Sequence, residues 1–178
     1  MKLNAEKGDK MKRTLIVVDM QNDFIFGSLG TKEAIDILPK VKSKIAEYKA
    51  RGEQIIFTRD THFENYFLKN EGKHLPIIHC LRGTWGWQIA DGLGTDGCEC
   101  VDKVTFAYDK WYAYDFENVE IVGLCTDICV ISNALAIKML YPEIDITVDA
   151  SCCAGVTPET HKSALKIMKM CCIDVIGE

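Results

Sequence analysis

The chain has 178 residues, 48% hydrophobic and 26% charged, with a formal net charge of -5. That is the size and balance of a single globular domain with a substantial core. The acidic excess, and the lack of a basic cluster beyond Lys10, Lys12 and Arg13, argue against nucleic acid or an anionic membrane surface as partner, and no apolar run approaches the ~18 residues of a membrane span.

Residues 1–12 are polar, without the apolar centre of a secretory signal, and are expected to be a flexible extension before one domain over 13–178. Residues 14–20 are an apolar run ending in Asp19, the pattern of a strand covered on both faces. A loop over 21–30 precedes a helix over 31–51, with Ile35, Leu38, Val41, Ile45 and Tyr48 at helical spacing and Gly52 as its stop. Residues 54–58 form a second strand ending at Arg59 and Asp60. The irregular stretch 61–79 is long enough for a loop to suggest function. A short helix is expected over 84–93 and a strand over 99–103, ending in Lys103; the aromatic-rich stretch 106–116 has no clear periodicity.

Residues 119–124 are a third long apolar strand, followed by a turn and a helix reaching about Leu140. Thr126 and Asp127 offer N-cap chemistry, and Cys129 falls in the first turn, where the helix dipole is expected to lower a thiol's pKa. A strand over 145–149, a Cys/Gly/Pro loop, a helix over 158–170 capped by Thr157, and a strand over 174–177 complete the chain. Alternating strands and helices predict an α/β fold with a parallel, doubly wound sheet. The nine cysteines include the adjacent pairs 152–153 and 171–172. An odd count with no signal peptide points to reduced thiols of a cytoplasmic protein, most of them small buried hydrophobes.

Ligands of such sheets bind beyond the carboxyl ends of the strands. Asp19, Asp60, Lys103 and Cys129 all fall there. Each alone suits a cap or a surface charge, but four strands delivering polar groups to one edge point to a shared site. A carboxylate can take the Cys129 proton, and a lysine can stabilise both resulting charges. Backbone N–H groups of residues 125–129 are candidates for an oxyanion hole. His161, opening the last helix, suits a cap or an interface. In the long loop, Asp60, His62, Glu71 and His79 suit zinc, iron or manganese, with His74 as a spare ligand. By spacing alone, packing under the loop is an equal reading.

Leu-Ile-Val-Val-Asp-Met-Gln-Asn-Asp-Phe (15–24), Gly-Leu-Cys-Thr-Asp-Ile-Cys-Val (123–130) and the intervening lysine resemble the cysteine hydrolases of the isochorismatase-like superfamily. The resemblance implies a Rossmann-like three-layer α/β/α sandwich with a mainly parallel sheet of about six strands. It implies Asp19 as base, Lys103 as catalytic lysine, Cys129 as nucleophile, and a cis peptide between Leu124 and Cys125. Asp60-x-His62 and Pro-Ile-Ile-His-Cys-Leu-Arg-Gly-Thr (76–84) look most like the nicotinamidase/pyrazinamidase members. Those members hold a divalent metal, zinc foremost with iron or manganese as alternatives, which binds the pyridine nitrogen of nicotinamide. The corresponding ligands are Asp60, His62, His79 and, as the fourth, Glu71 or His74. Many members carry an aromatic residue three before the last histidine. Here it is Pro76, which leaves Phe24, Phe106 or Tyr108 to sandwich a ring.

The expected activity is hydrolysis of a small-molecule amide, nicotinamide first, through a thioester on Cys129. A metal-free relative acting on another amide, a carbamoyl or a ureido substrate is the alternative. A non-catalytic metal or thiol-redox protein is the reading from another class. By resemblance the chain also forms a homo-oligomer.

Overall fold

The computed structural model describes residues 12–178, so all of the expected N-terminal extension except Lys12 lies outside the described residues. Six strands form one sheet: β1 (Arg13–Val18), β2 (Gln54–Asp60), β3 (Glu99–Lys103), β4 (Asn118–Leu124), β5 (Asp145–Ala154) and β6 (Asp174–Ile176). Every neighbouring pair is parallel, in the order β3-β2-β1-β4-β5-β6. The order reverses between β1 and β4, and such a switch point opens a crevice at the carboxyl edge.

Alternation along the strands sorts the core into two layers. Leu15 and Val17 face one layer with Ile37, Val41, Ile45 and Tyr48 of helix α2 (Lys32–Arg51), after the short α1 (Asn22–Ile25). Ile16 and Val18 face the other, against α4 (Ile131–Leu140) and α5 (Pro158–Met170); the short α3 (Asn70–His74) lies in the long loop. Successive side chains of a strand point to opposite faces, so β1, buried on both, has no polar side. The result is the expected three-layer sandwich with a six-stranded, all-parallel sheet.

Four local expectations change. Helix α2 buries the row Ala34, Ile37, Val41, Ile45 and Tyr48, while Ile35 is exposed. Thr31 is the N-cap, not a helical residue, and the 35/38 row sits about 100° round the helix from the sheet. No helix forms over 84–93. The backbone carbonyls of residues 85–88 are engaged by the first loop: Asn22 Nδ2 donates to Trp85, the Asp23 N–H to Gly86, Gln21 Nε2 to Trp87 and the Asn22 N–H to Gln88. Those acceptors are then unavailable to a helical ladder.

β5 runs on to Ala154, so Cys152 and Cys153 are buried strand residues rather than part of a loop. Yet only four of the nine cysteines are buried, and Cys100, Cys171 and Cys172 are exposed; all nine are free. Thr126 and Asp127 do not cap the helix after β4. Cys125 is the N-cap, without a side-chain bond, and the chain first makes one π turn over Thr126–Val130. Thr126 Oγ1 instead lies 2.8 Å from His161 Nδ1, and Asp127 accepts the Val156 N–H. His161 thus ties α5 to this turn. The helix over 158–170 keeps its predicted cap at Thr157.

Candidate active site and metal centre

The four strand ends meet at the carboxyl edge. Asp19 leaves β1 with φ 47°, a left-handed kink that aspartate tolerates better than most side chains. Its N–H bonds to Thr58, and Thr58 Oγ1 donates to Asp19 Oδ1 at 2.6 Å. Asp60 and Lys103 are register partners across β2 and β3, so their side chains leave the sheet together. Next to last in β4 is Gly123 at φ 119°, where a Cβ would meet the Val18 carbonyl oxygen at 2.1 Å, so only glycine passes. The next peptide, Leu124–Cys125, is cis. The π turn then brings Cys129 over β1.

Lys103 is the meeting point. Its Nζ lies 2.7 Å from Asp19 Oδ2, 3.4 Å from Cys129 Sγ and 3.5 Å from Asp60 Oδ1. All four residues are buried. Asp19 Oδ2 has the ammonium close by but no directed hydrogen bond, so a lone pair remains for the thiol proton.

Burial pushes the Cys129 thiol well above its ordinary value; Lys103 pulls it down, and the Asp19 and Asp60 charges push it up again. The direction is opposite to the helix-dipole expectation: desolvation and two carboxylates raise this thiol. Burial also raises the Asp19 carboxyl, against the pull of Lys103. Burial alone would depress Lys103, but Asp19, Cys129 and Asp60 hold it well above its ordinary value.

The second cluster begins at Asp60. His62 Nε2 is 2.9 Å from Asp60 Oδ2, 3.2 Å from His79 Nε2 and 3.5 Å from Glu71 Oε1. His79 Nε2 is 3.5 Å from Asp60 Oδ2 and 3.7 Å from Glu71 Oε1. One donor atom from each of the four lies within 4.8 Å of all the others. Ligands ~2.0–2.2 Å from a tetrahedral metal are themselves roughly 3.3–3.6 Å apart, so these separations fit one divalent cation. His79 Nδ1 meets the Ile77 carbonyl at 2.8 Å, which aims Nε2 inward. Glu71 is brought in by α3; His74, on the same helix, turns outward to the Asn70 carbonyl.

Burial disfavours charge on both histidines, yet bonds to Asp60 and Glu71 lift each to about 9. Burial likewise opposes the Glu71 charge, but the two imidazoles bring it to about 2.

Of the ring candidates, Phe24 packs beside His79, with centroids 5.6 Å apart. Phe106 is 45% exposed, and what the structure fixes there is its backbone. Tyr108 packs on Trp111. Three contributors escaped the sequence reading. Thr58, the one hydroxyl in the apolar run of β2, orients Asp19. Tyr66 packs against both His62 and His79. Gln21 receives the Asp60 N–H at 2.7 Å and donates to its carbonyl at 2.9 Å, clamping that strand end. Only Gln21, inside the motif at 15–24, had a signal.

The Isochorismatase domain matches residues 13–177. The nicotinamidase/pyrazinamidase of Mycobacterium tuberculosis is 28% identical over 198 residues, spanning 92% of this chain and 98% of that protein. The nicotinamidase of Saccharomyces cerevisiae is 25% identical over 216 residues, spanning 93% of this chain and all of the yeast protein. Among solved structures, the pyrazinamidase of Pyrococcus horikoshii in complex with zinc superposes with a TM-score of 0.81 at 28% identity, over 94% of this chain and 99% of that one. The family match runs through every strand that feeds the site: the chain belongs to the Isochorismatase domain family.

Proposed function

We propose that this protein is a metal-dependent cysteine amidohydrolase that converts nicotinamide to nicotinate and ammonia, a step of NAD salvage. The chain is a hydrolase acting on amide C–N bonds. The observation that carries the finer reading is the shared Asp60. One carboxylate oxygen faces Lys103 at the thiol, and the other faces His62 in the four-donor cluster. A hydrolase working without metal has no use for that cluster. The nearby relatives are named for nicotinamide and pyrazinamide, two ring carboxamides, and one was solved with zinc.

In this reading Cys129 passes its proton to Asp19, whose raised pKa suits it to receive and return a proton. Lys103 stays cationic and offsets the charge moved within the buried pair. Sγ attacks the carboxamide carbon, and N–H groups of the 125–129 turn hold the oxyanion. The Ile128 N–H is already committed to the Cys125 carbonyl, so that task falls to its neighbours. Ammonia leaves with the proton from Asp19, and a thioester remains on Cys129. Asp19 next deprotonates water, which hydrolyses the thioester, frees nicotinate and restores the thiol. Asp60, His62, Glu71 and His79 would hold the metal, and a bound zinc supplies a Lewis acid for a ring nitrogen. Phe24 is placed to pack on that ring.

Ammonia release from nicotinamide, a carbamoyl amino acid and a ureido compound tests the reading. Turnover of nicotinamide alone is expected. Preference for the carbamoyl or ureido compound would overturn the substrate assignment.

A further inference from the structure

The proposed chemistry leaves no role for Asn133, one turn beyond Cys129 on α4. It is wholly buried, and every hydrogen-bonding position of its amide is used. Oδ1 accepts the Tyr108 N–H at 2.9 Å and the Trp111 indole N–H at 2.8 Å. Nδ2 donates to the Phe106 carbonyl at 3.2 Å and to the carbonyl of Cys129 itself at 2.7 Å. The pattern fixes the amide orientation, because a flip would set oxygen against two carbonyls. One side chain thus joins the nucleophile to the segment that leaves β3 just after Lys103.

Apart from Asn133, the segment is held at its ends and by the Tyr108 ring, which packs on the core. β3 anchors it at Lys103, and Trp111 is packed among Tyr108, Tyr114 and Phe116 and bonded through its carbonyl to Tyr141 at 3.0 Å. Between them Val104 and Phe106 are exposed, and the backbone at 106 and 108 is drawn inward by Asn133. The amide is fully buried, so losing one of these bonds leaves its partner unsatisfied.

We propose that Asn133 is a positioning residue that fixes the gap between Cys129 and the 106–111 segment, and so sets the bulk of the amide that reaches the thiol. The proposal rests on Cys129 being the nucleophile of the proposed function. Asn133→Asp keeps the acceptor bonds to Tyr108 and Trp111 but sets oxygen against the Phe106 and Cys129 carbonyls. Trp111→Phe removes one donor from the far side and leaves the bond to Cys129 intact.

The probes are iodoacetamide and the bulkier N-phenyl iodoacetamide, read at Cys129 by peptide mass mapping. In each, sulfur displaces iodide, a C–S bond forms, and the thiol proton passes to Asp19. Wild type is expected to favour the smaller reagent. Asn133→Asp narrows that preference by at least about tenfold, the effect of losing two buried hydrogen bonds. Trp111→Phe narrows it in the same direction but less. The bound metal content stays near wild type in both, and so does the iodoacetamide rate in Trp111→Phe; the carboxylate added by Asn133→Asp slows both reagents, so its reading is the ratio alone. An unchanged ratio in whichever variant folds, or equal slowing of both reagents, overturns the proposal. Failure of the wild type to release ammonia from any amide would count against the proposed function alone, since the alkylation ratio is read without turnover.

Discussion

Lys103 stands opposite Asp60 in the register of β2 and β3, and its ammonium lies 3.5 Å from the Asp60 carboxylate. Because Asp60 also faces His62 and His79, the thiol centre and the cation cluster share one charge. Asp60→Asn should therefore act on both. Metal affinity should fall by at least about 10–100-fold, as when ligand geometry is disturbed. In metal-free protein, Cys129 should react faster with iodoacetamide at neutral pH, because one of the carboxylates that disfavours thiolate is gone. Metal titration and alkylation kinetics check the two halves separately.

Cys129→Ala should abolish turnover, with kcat down by on the order of 10⁴-fold or more, since the Lys103-paired thiol that forms the covalent intermediate is gone. Metal content should match wild type, because Sγ is not one of the cluster's donors. Normal ammonia release by this variant removes Cys129 as nucleophile.

Lys103→Met leaves Asp19 buried beside a second carboxylate with no cation between them. Removing one partner of a buried ion pair costs about 3–5 kcal/mol. Denaturant unfolding should register a loss of that size, and the double change with Asp19→Asn should recover much of it. A single variant as stable as wild type would show Asp19 to be neutral in the folded protein.

Under helix α2 the sheet carries a pH-dependent group of three charges. Lys44 lies 2.7 Å from Glu120 and 2.9 Å from Asp149. Burial would raise the Asp149 carboxyl, but bonds from Ser151 and Lys44 hold it below its ordinary 3.8. A depressed folded pKa gives stability that is present above 3.8 and is lost as pH falls through the lower folded value. Asp149→Asn should accordingly lower the melting temperature near neutral pH, and the gap to wild type should shrink in acid below that window. A gap independent of pH would assign the loss to packing.

The sheet and the place of the site were legible because they depend on local pattern. Apolar runs such as 14–18 declare buried strands, and the polar residue that ends each run declares the edge where they open. What could not be read depends on contacts distant in sequence. The stretch 84–93 has the composition of a helix, but Gln21, Asn22 and Asp23 take its carbonyls. The thiol of Cys129 sits at a helix start, yet its protonation is set by burial and by carboxylates from β1 and β2. Asn133 looks like any polar residue of a short helix until residues 106–111 fold onto it. Glu71 is the expected fourth ligand with His74 as the spare, and the turn of α3, which aims His74 at the Asn70 carbonyl, is what separates them.

The central claim is that one site joins a cysteine nucleophile to a metal-held ring carboxamide, and ammonia release from nicotinamide before and after chelation tests it most directly. The account predicts activity in the metal-loaded protein, its loss on chelation, and its return on adding zinc, iron or manganese. Undiminished release after complete removal of metal would contradict it.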